Sequence, residues 1–150
     1  MKIYKTPIYK YVLVREADSE TVKCKITDSS DVAEYMKEHY YNDDLSIYES
    51  FFIILLNNHN NTIGVHKISQ GGITATHVDI RLIAKYALDR LAVAVILIHN
   101  HPSENFRPSE ADKIFTSKIK NGLEILDIKV LDHIILTEES YYSFADECIL

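Results

Sequence analysis

The run Leu91-Ala92-Val93-Ala94-Val95-Ile96-Leu97-Ile98 passes without a break into His99-Asn100-His101-Pro102, and no other stretch restricts the chain as much. Eight apolar residues, several of them β-branched, suit a pleated buried strand better than an ordinary helix. Pro102 stops that strand. On an extended chain alternate side chains leave the same face, so His99 and His101 emerge together while Asn100 faces away. Ser109 then opens a helix on which Asp112 sits one turn in.

Two imidazoles at a strand end and a carboxylate on the next helix can converge on one divalent cation. Three protein ligands leave a fourth position for water, which separates a catalytic zinc site from a closed structural one. Ser109-x-x-Asp112 has a second reading. Serine followed three positions on by an acidic residue is a helix-start signature, worth about 1 kcal/mol with no metal involved. That reading leaves the two histidines unexplained, because burying two imidazoles requires partners for both rings.

The spacing is His-x-His, seven residues, Ser, two residues, Asp. Together with His99-Asn100-His101-Pro102-Ser103, Pro108-Ser109 and the later Leu131-Asp132-His133-Ile134-Ile135, it resembles the RadC-like branch of the JAMM (MPN+, JAB-domain) zinc metalloproteases. The resemblance runs from about Tyr48 to the C-terminus. It implies a JAB/MPN, cytidine-deaminase-like architecture in which His99, His101 and Asp112 hold Zn2+. It further implies a glutamate just before an aromatic-aliphatic strand as general base. Glu49, ahead of Ser50-Phe51-Phe52-Ile53-Ile54-Leu55-Leu56, fits that place, whereas Glu20, Glu34 and Glu38 have no comparable context. Ser109 would donate to a developing oxyanion, and the bond cut would be a peptide or isopeptide bond of a protein or peptide substrate. Glu104 stands where such sequences carry glycine and reads as a solvated loop residue. His133 reads either as a group orienting a ligand imidazole or as a satisfied core histidine beside Asp132.

A chain of 150 residues, 47% hydrophobic and 25% charged, makes one domain able to bury a core. Residues 1–47, a strand and helix segment, belong to it together with the metal-binding region 48–150. Cys24 and Cys148 have neither finger nor disulfide-framework spacing, so a reducing compartment is expected. The N-terminus lacks a secretory apolar region and no run reaches membrane-spanning length, so the expectation is a soluble, cytoplasmic protein without a membrane partner. The family's fuller members carry an N-terminal helical module for which this length has no room. Sixteen basic against 22 acidic residues, the basic ones scattered, do not suggest phosphate-backbone binding. Two other functions stay open beside amide hydrolysis. One is a DNA-repair-associated role on or near DNA, and the other is a catalytically silent MPN binding module.

Along the chain, residues 2–15 read as one or two strands with Pro7 at a bend. Asp28-Ser29-Ser30-Asp31 starts a helix that carries Val32, Tyr35, Met36, His39 and Tyr40. Tyr48–Leu56 and Ile63–Ile68 are strands joined in a hairpin by Asn57-Asn58-His59-Asn60-Asn61. Gly71-Gly72 suits a turn, His77 a loop, and His59 and His66 structural or exposed positions. Asp79–Leu91 is a helix with Leu82, Ile83, Tyr86, Ala87 and Leu91 on its apolar side. A helix from about Ser109 to Asn121 ends at Gly122 as C-cap. Ile128–Leu136 is a strand, and Tyr141–Phe144 opens a last short element. The order predicts an α/β fold, a mixed sheet covered by helices.

Overall fold

Ala94–Asn100 is buried along its whole length and forms the middle of a mixed five-stranded sheet. In the computed structural model, which describes residues 23–41, 45–71 and 78–150, the strands are Ser50–Leu56 (β1), Thr62–Gln70 (β2), Ala94–Asn100 (β3), Lys129–Leu136 (β4) and Tyr141–Ser143 (β5). The sheet order is β2-β1-β3-β4-β5. β3 pairs antiparallel with β1 and parallel with β4. The expected strands over residues 2–15, with Glu20, Gly72 and His77, lie outside the described residues.

Strand alternation divides the core into two layers. Phe52, Ile54 and Leu56 of β1, with Ala94, Ile96 and Ile98 of β3, meet Val32, Ala33 and Met36 of the helix Ser29–His39 (α1). Phe51, Ile53, Leu55, Val95 and Leu97 meet the other two helices, Ile80–Asp89 (α2) and Glu110–Glu124 (α3), through Ile83, Ala87, Ile119 and Leu123. Both faces of β1 and β3 are therefore covered, and this is why these strands read as unbroken apolar runs. Glu34 and Glu38 lie exposed on α1, across the sheet from the face that carries His99.

One irregularity decides the outcome at β4. Val95 faces Val130 but Ile96 faces Asp132, so Leu131 is an extra residue in the parallel pair. Without this bulge Val130 and Asp132 would share a face. With it, Val130 packs under α3, Asp132 turns toward the α1 side, and His133 returns to the α3 side opposite Leu97. Asp132 there accepts from Ser143 Oγ at 2.6 Å and from the Ala145 N–H at 2.9 Å, which ties down the C-terminal turn.

Local chemistry sets most boundaries as expected. Asp28 and Asp79 cap α1 and α2, each accepting a backbone N–H from its helix's first turn. Asn57 Oδ1 accepts from the His59 and Asn61 N–H groups and closes the β1–β2 hairpin. Two expectations need correction. Gly122 does not end α3, which continues to Glu124. The chain then closes with Ile128 N–H on the Leu123 carbonyl and Asp127 N–H on that of Glu124, with Asp127 at φ 56°. Leu82 and Leu91 are not core. Leu91 is 84% exposed at φ 52°, just past α2, while Ala92 N–H reaches back to the Ala87 carbonyl. Both helices therefore end in Schellman-type closures with a non-glycine residue in the left-handed position.

This exchange of preferences yields a stability prediction. A Cβ at Gly122 would sit 3.8 Å from Ile80 Cγ2, an ordinary contact. Gly122→Ala is expected to stabilise by about 0.5–1 kcal/mol through helix propensity. Leu91→Gly is expected to stabilise by about 1 kcal/mol through relief of the left-handed conformation. Urea denaturation of the two variants checks this; a lower midpoint for either would show that its side chain, or the lack of one, is needed for packing.

Candidate metal centre

The alternation that fills the core also aims the histidines. His99 follows Val95 and Leu97 onto the α2/α3 face, and its side chain is 3% exposed. His101 is the first residue past β3, and its N–H donates to the Leu136 carbonyl at 3.0 Å, continuing the ladder for one step. Asp112 is the third residue of α3 and reaches the site from the helix start. One nitrogen from each imidazole and one oxygen of the carboxylate all lie within 4.8 Å of one another, the one such group of three among the described residues. His99 Nε2 and His101 Nε2 are 2.8 Å apart. Asp112 Oδ1 lies 3.5 Å from the former and Oδ2 3.7 Å from the latter.

These separations suit a small cation. Ligands bound at about 2.0–2.2 Å in a tetrahedron stand roughly 3.3–3.6 Å from one another, between the shortest and longest of the separations seen here. The donor chemistry fits as well. His101 Nδ1 lies 2.6 Å from the Asn105 carbonyl, which can only accept, so Nδ1 carries the proton and a neutral His101 presents its Nε2 lone pair to the centre. With side chains 17% and 21% exposed, His101 and Asp112 form the rim, and the site is reachable from their side.

The loop between the two ligand elements is held by its own backbone. Glu104 N–H donates to the His101 carbonyl at 3.1 Å, and Glu104 adopts φ 59°. That left-handed conformation suits glycine. Glu104 is exposed, and its Oε1 accepts from the Glu138 N–H at 3.4 Å, consistent with a loop residue.

Ser109 caps α3 in a full capping box. Its hydroxyl accepts from the Asp112 N–H at 3.2 Å, while Asp112 Oδ2 accepts from the Ser109 N–H at 2.7 Å and from its hydroxyl at 2.6 Å. The helix-start reading of Ser109-x-x-Asp112 is thus realised, and the same carboxylate stays within reach of both imidazoles.

Glu49 lies immediately before β1. It stands two residues ahead of Phe51, which pairs with His99. The Glu49 carbonyl accepts from Gly71 N–H at 2.8 Å. Its neighbour Ser50 donates its N–H to Asn100 Oδ1 at 2.8 Å, and Asn100 Nδ2 donates to the carbonyls of Leu45 and Tyr48 at 2.7 and 2.8 Å. Asn100 faces away from the histidines, as expected. Fully buried, it ties the segment carrying Glu49 to the ligand strand. A polar residue at a core-facing position of an apolar strand was the available signal.

His133 is drawn into the site. Its Nε2 lies 2.8 Å from His99 Nδ1, and its Nδ1 lies 2.6 Å from Thr116 Oγ1. Thr116, in the second turn of α3, was not legible as a site residue. The other described histidines stay apart. His66 stacks on Tyr86 at 4.2 Å, His59 is exposed in the hairpin turn, and His39 packs edge-on against Tyr35. No helix among the described residues is long and apolar enough to cross a membrane.

Residues 26–149 match the family pattern described as the RadC-like JAB domain. The chain is 52% identical over 102 residues to a UPF0758 protein of Flavobacterium johnsoniae, covering 68% of this chain and 44% of that one. It is 33% identical over 132 residues to a UPF0758 protein of Chlorobaculum parvum, covering 88% and 58%. Against UPF0758 protein YfjY of Escherichia coli K12 the identity is 41% over 102 residues, covering 68% and 64%. The chain therefore spans about half to two thirds of the length of these relatives.

The buried imidazoles set a pH dependence. Burial, reinforced by His101 and opposed by the Asp112 charge, brings His99 down to about 4; burial and the neighbouring imidazoles push His133 well below its ordinary value. The unfolded chain protonates both near pH 6.5. Between there and about 4 it binds protons that the folded chain refuses, so stability falls as pH falls through that window and is retained above it. Urea midpoints of chelator-treated protein at pH 7.5, 6 and 5 should decline in that order. A flat series would mean that the folded site accepts those protons.

Proposed function

The chain belongs to the RadC-like JAB-domain family, and from that we propose that it is a zinc-dependent hydrolase of peptide or isopeptide bonds in a protein or peptide substrate. The observation that carries the reading is the convergence of His99 Nε2, His101 Nε2 and an Asp112 oxygen at the solvent-reachable end of a buried strand. His99, His101 and Asp112 would hold the zinc, which would supply Lewis-acid activation of water near neutral pH.

The chain's own residues divide the remaining work. Glu49, tied to the strand end through Ser50 and Asn100, takes the water proton and returns it to the leaving amine. Ser109 is the oxyanion donor of this reading. Its hydroxyl proton rests on Asp112 Oδ2, so donation requires the hydroxyl to turn away while the Ser109 N–H keeps its bond to the same oxygen. The net charge of −6 offers nothing to a phosphate backbone, so DNA is not the proposed partner.

Elemental analysis and a panel of peptide and isopeptide-linked substrates test the assignment together. Wild-type protein and Glu49→Gln should each hold about one zinc per chain, and Asp112→Ala should hold little. Hydrolysis should drop by about 10²–10⁴ in Glu49→Gln, the usual contribution of a general base. A folded wild-type chain that takes up no zinc would refute the metal reading; full activity in Glu49→Gln would refute the base.

A further inference from the structure

We propose that Thr116 and His133 are positioning residues that fix the tautomer of His99, so that its Nε2 faces the metal centre as a lone pair rather than as an N–H. The proposal deepens the metal reading above and rests on it. His99 Nε2 sits 2.8 Å from His101 Nε2, and two arrangements satisfy that contact. In one, His99 carries its proton on Nε2 and donates to His101, leaving the site self-satisfied with no need of a cation. In the other, both nitrogens present lone pairs and only a cation between them, a proton or a metal ion, relieves their repulsion.

The choice is made outside the ligand set. Thr116 Oγ1 lies 2.6 Å from the Asp112 carbonyl oxygen and 2.6 Å from His133 Nδ1. A hydroxyl has one proton and a carbonyl has none. If the hydroxyl donated to His133, two oxygens would face each other at 2.6 Å with no hydrogen between them. The arrangement that satisfies both contacts has Thr116 donating to the Asp112 carbonyl and His133 Nδ1–H donating to Thr116. A neutral His133 then has a bare Nε2, which accepts from His99 Nδ1–H at 2.8 Å. His99 is left with its lone pair on Nε2. The neutral state of His133 agrees with its surroundings, since the rings of Phe51 and Phe144 lie 5.7 and 4.7 Å from its own.

The relay begins and ends on the ligand set. It starts at the backbone of Asp112, passes through the side chains of Thr116 and His133, and finishes on His99. Thr116 and His133 are 2% and 1% exposed, so their role is to orient and not to react. The bulge at Leu131 is what puts His133 on the correct face of β4 to take part.

Nitrogen-15 NMR of the histidine rings in metal-free protein, with zinc affinity from chelator competition, tests the proposal. In the wild type the expected pattern is Nδ1–H on His99, His101 and His133. Thr116→Val keeps shape but removes the hydroxyl. It should disturb the nitrogen pattern of His133 and His99 and weaken zinc binding by about 10–100-fold, the usual effect of losing a group that orients a ligand. Thr116→Ser should restore both, which a merely steric role would not predict. A wild-type His99 protonated on Nε2 overturns the relay without any variant, as does a Thr116→Val protein that binds zinc as tightly as wild type. If wild-type protein binds no zinc yet shows the expected nitrogen pattern, the relay stands and the metal reading falls.

Discussion

The site depends on the fact that a peptide carbonyl can only accept. At two points a histidine of the candidate metal group is tied to one. His101 Nδ1 meets the Asn105 carbonyl directly, and His99 is tied to the Asp112 carbonyl through His133 and Thr116. Each chain of bonds begins at an atom whose role cannot change, and the protons along it have one consistent arrangement. Backbone geometry thereby dictates which imidazole nitrogens are bare. In the buried His99–His133 pair this matters more than at a surface, because a misassigned proton there would leave a polar group unpaired out of reach of water.

The fold supplies the distances that this requires. β3 and the residue that follows it carry two side chains of the site because the pleat repeats every two residues, and the strand is central, so neighbours on both sides serve the same end of the sheet. β1 brings the segment before Ser50 alongside by antiparallel pairing, and Asn100 locks that segment from the opposite face. The crossover through α3 sets Asp112 and Thr116 one turn apart on the same side, so one helix supplies both a member of the candidate metal group and the anchor of the relay.

Much of this was legible in the residues because it is local. The buried strand, the same-face histidines, the α3 cap and the Asn-rich hairpin each follow from a few neighbouring side chains. The left-handed residues were harder to place. Glycine was expected at a helix end and lies inside α3, while Leu91 and Asp127 occupy the conformations that glycine favours. The link from His133 to Thr116 and His99 was not legible for another reason. Its partners are 17 and 34 residues away, and the face on which His133 lands depends on one extra residue in β4. A period-two reading of Lys129–Leu136 has no means of placing a bulge, and a one-residue error there reverses every side chain beyond it.

The same kind of counting explains why residue 112 is a carboxylate. Helix α3 needs an acceptor at its third position to complete the capping box, and the same side chain is the one carboxylate of the three-residue group that could hold a cation. An amide has one oxygen to offer, so at this position it would have to serve either the cap or the cation. Aspartate has two. Oδ2 takes the Ser109 N–H and hydroxyl, which fixes the carboxylate plane, and Oδ1 then faces His99 Nε2 at 3.5 Å. The first turn of the helix and the ligand geometry are in this way one structure. A cation that binds Oδ1 meets a carboxylate already oriented by the cap, so less conformational freedom is lost on binding than with a free side chain.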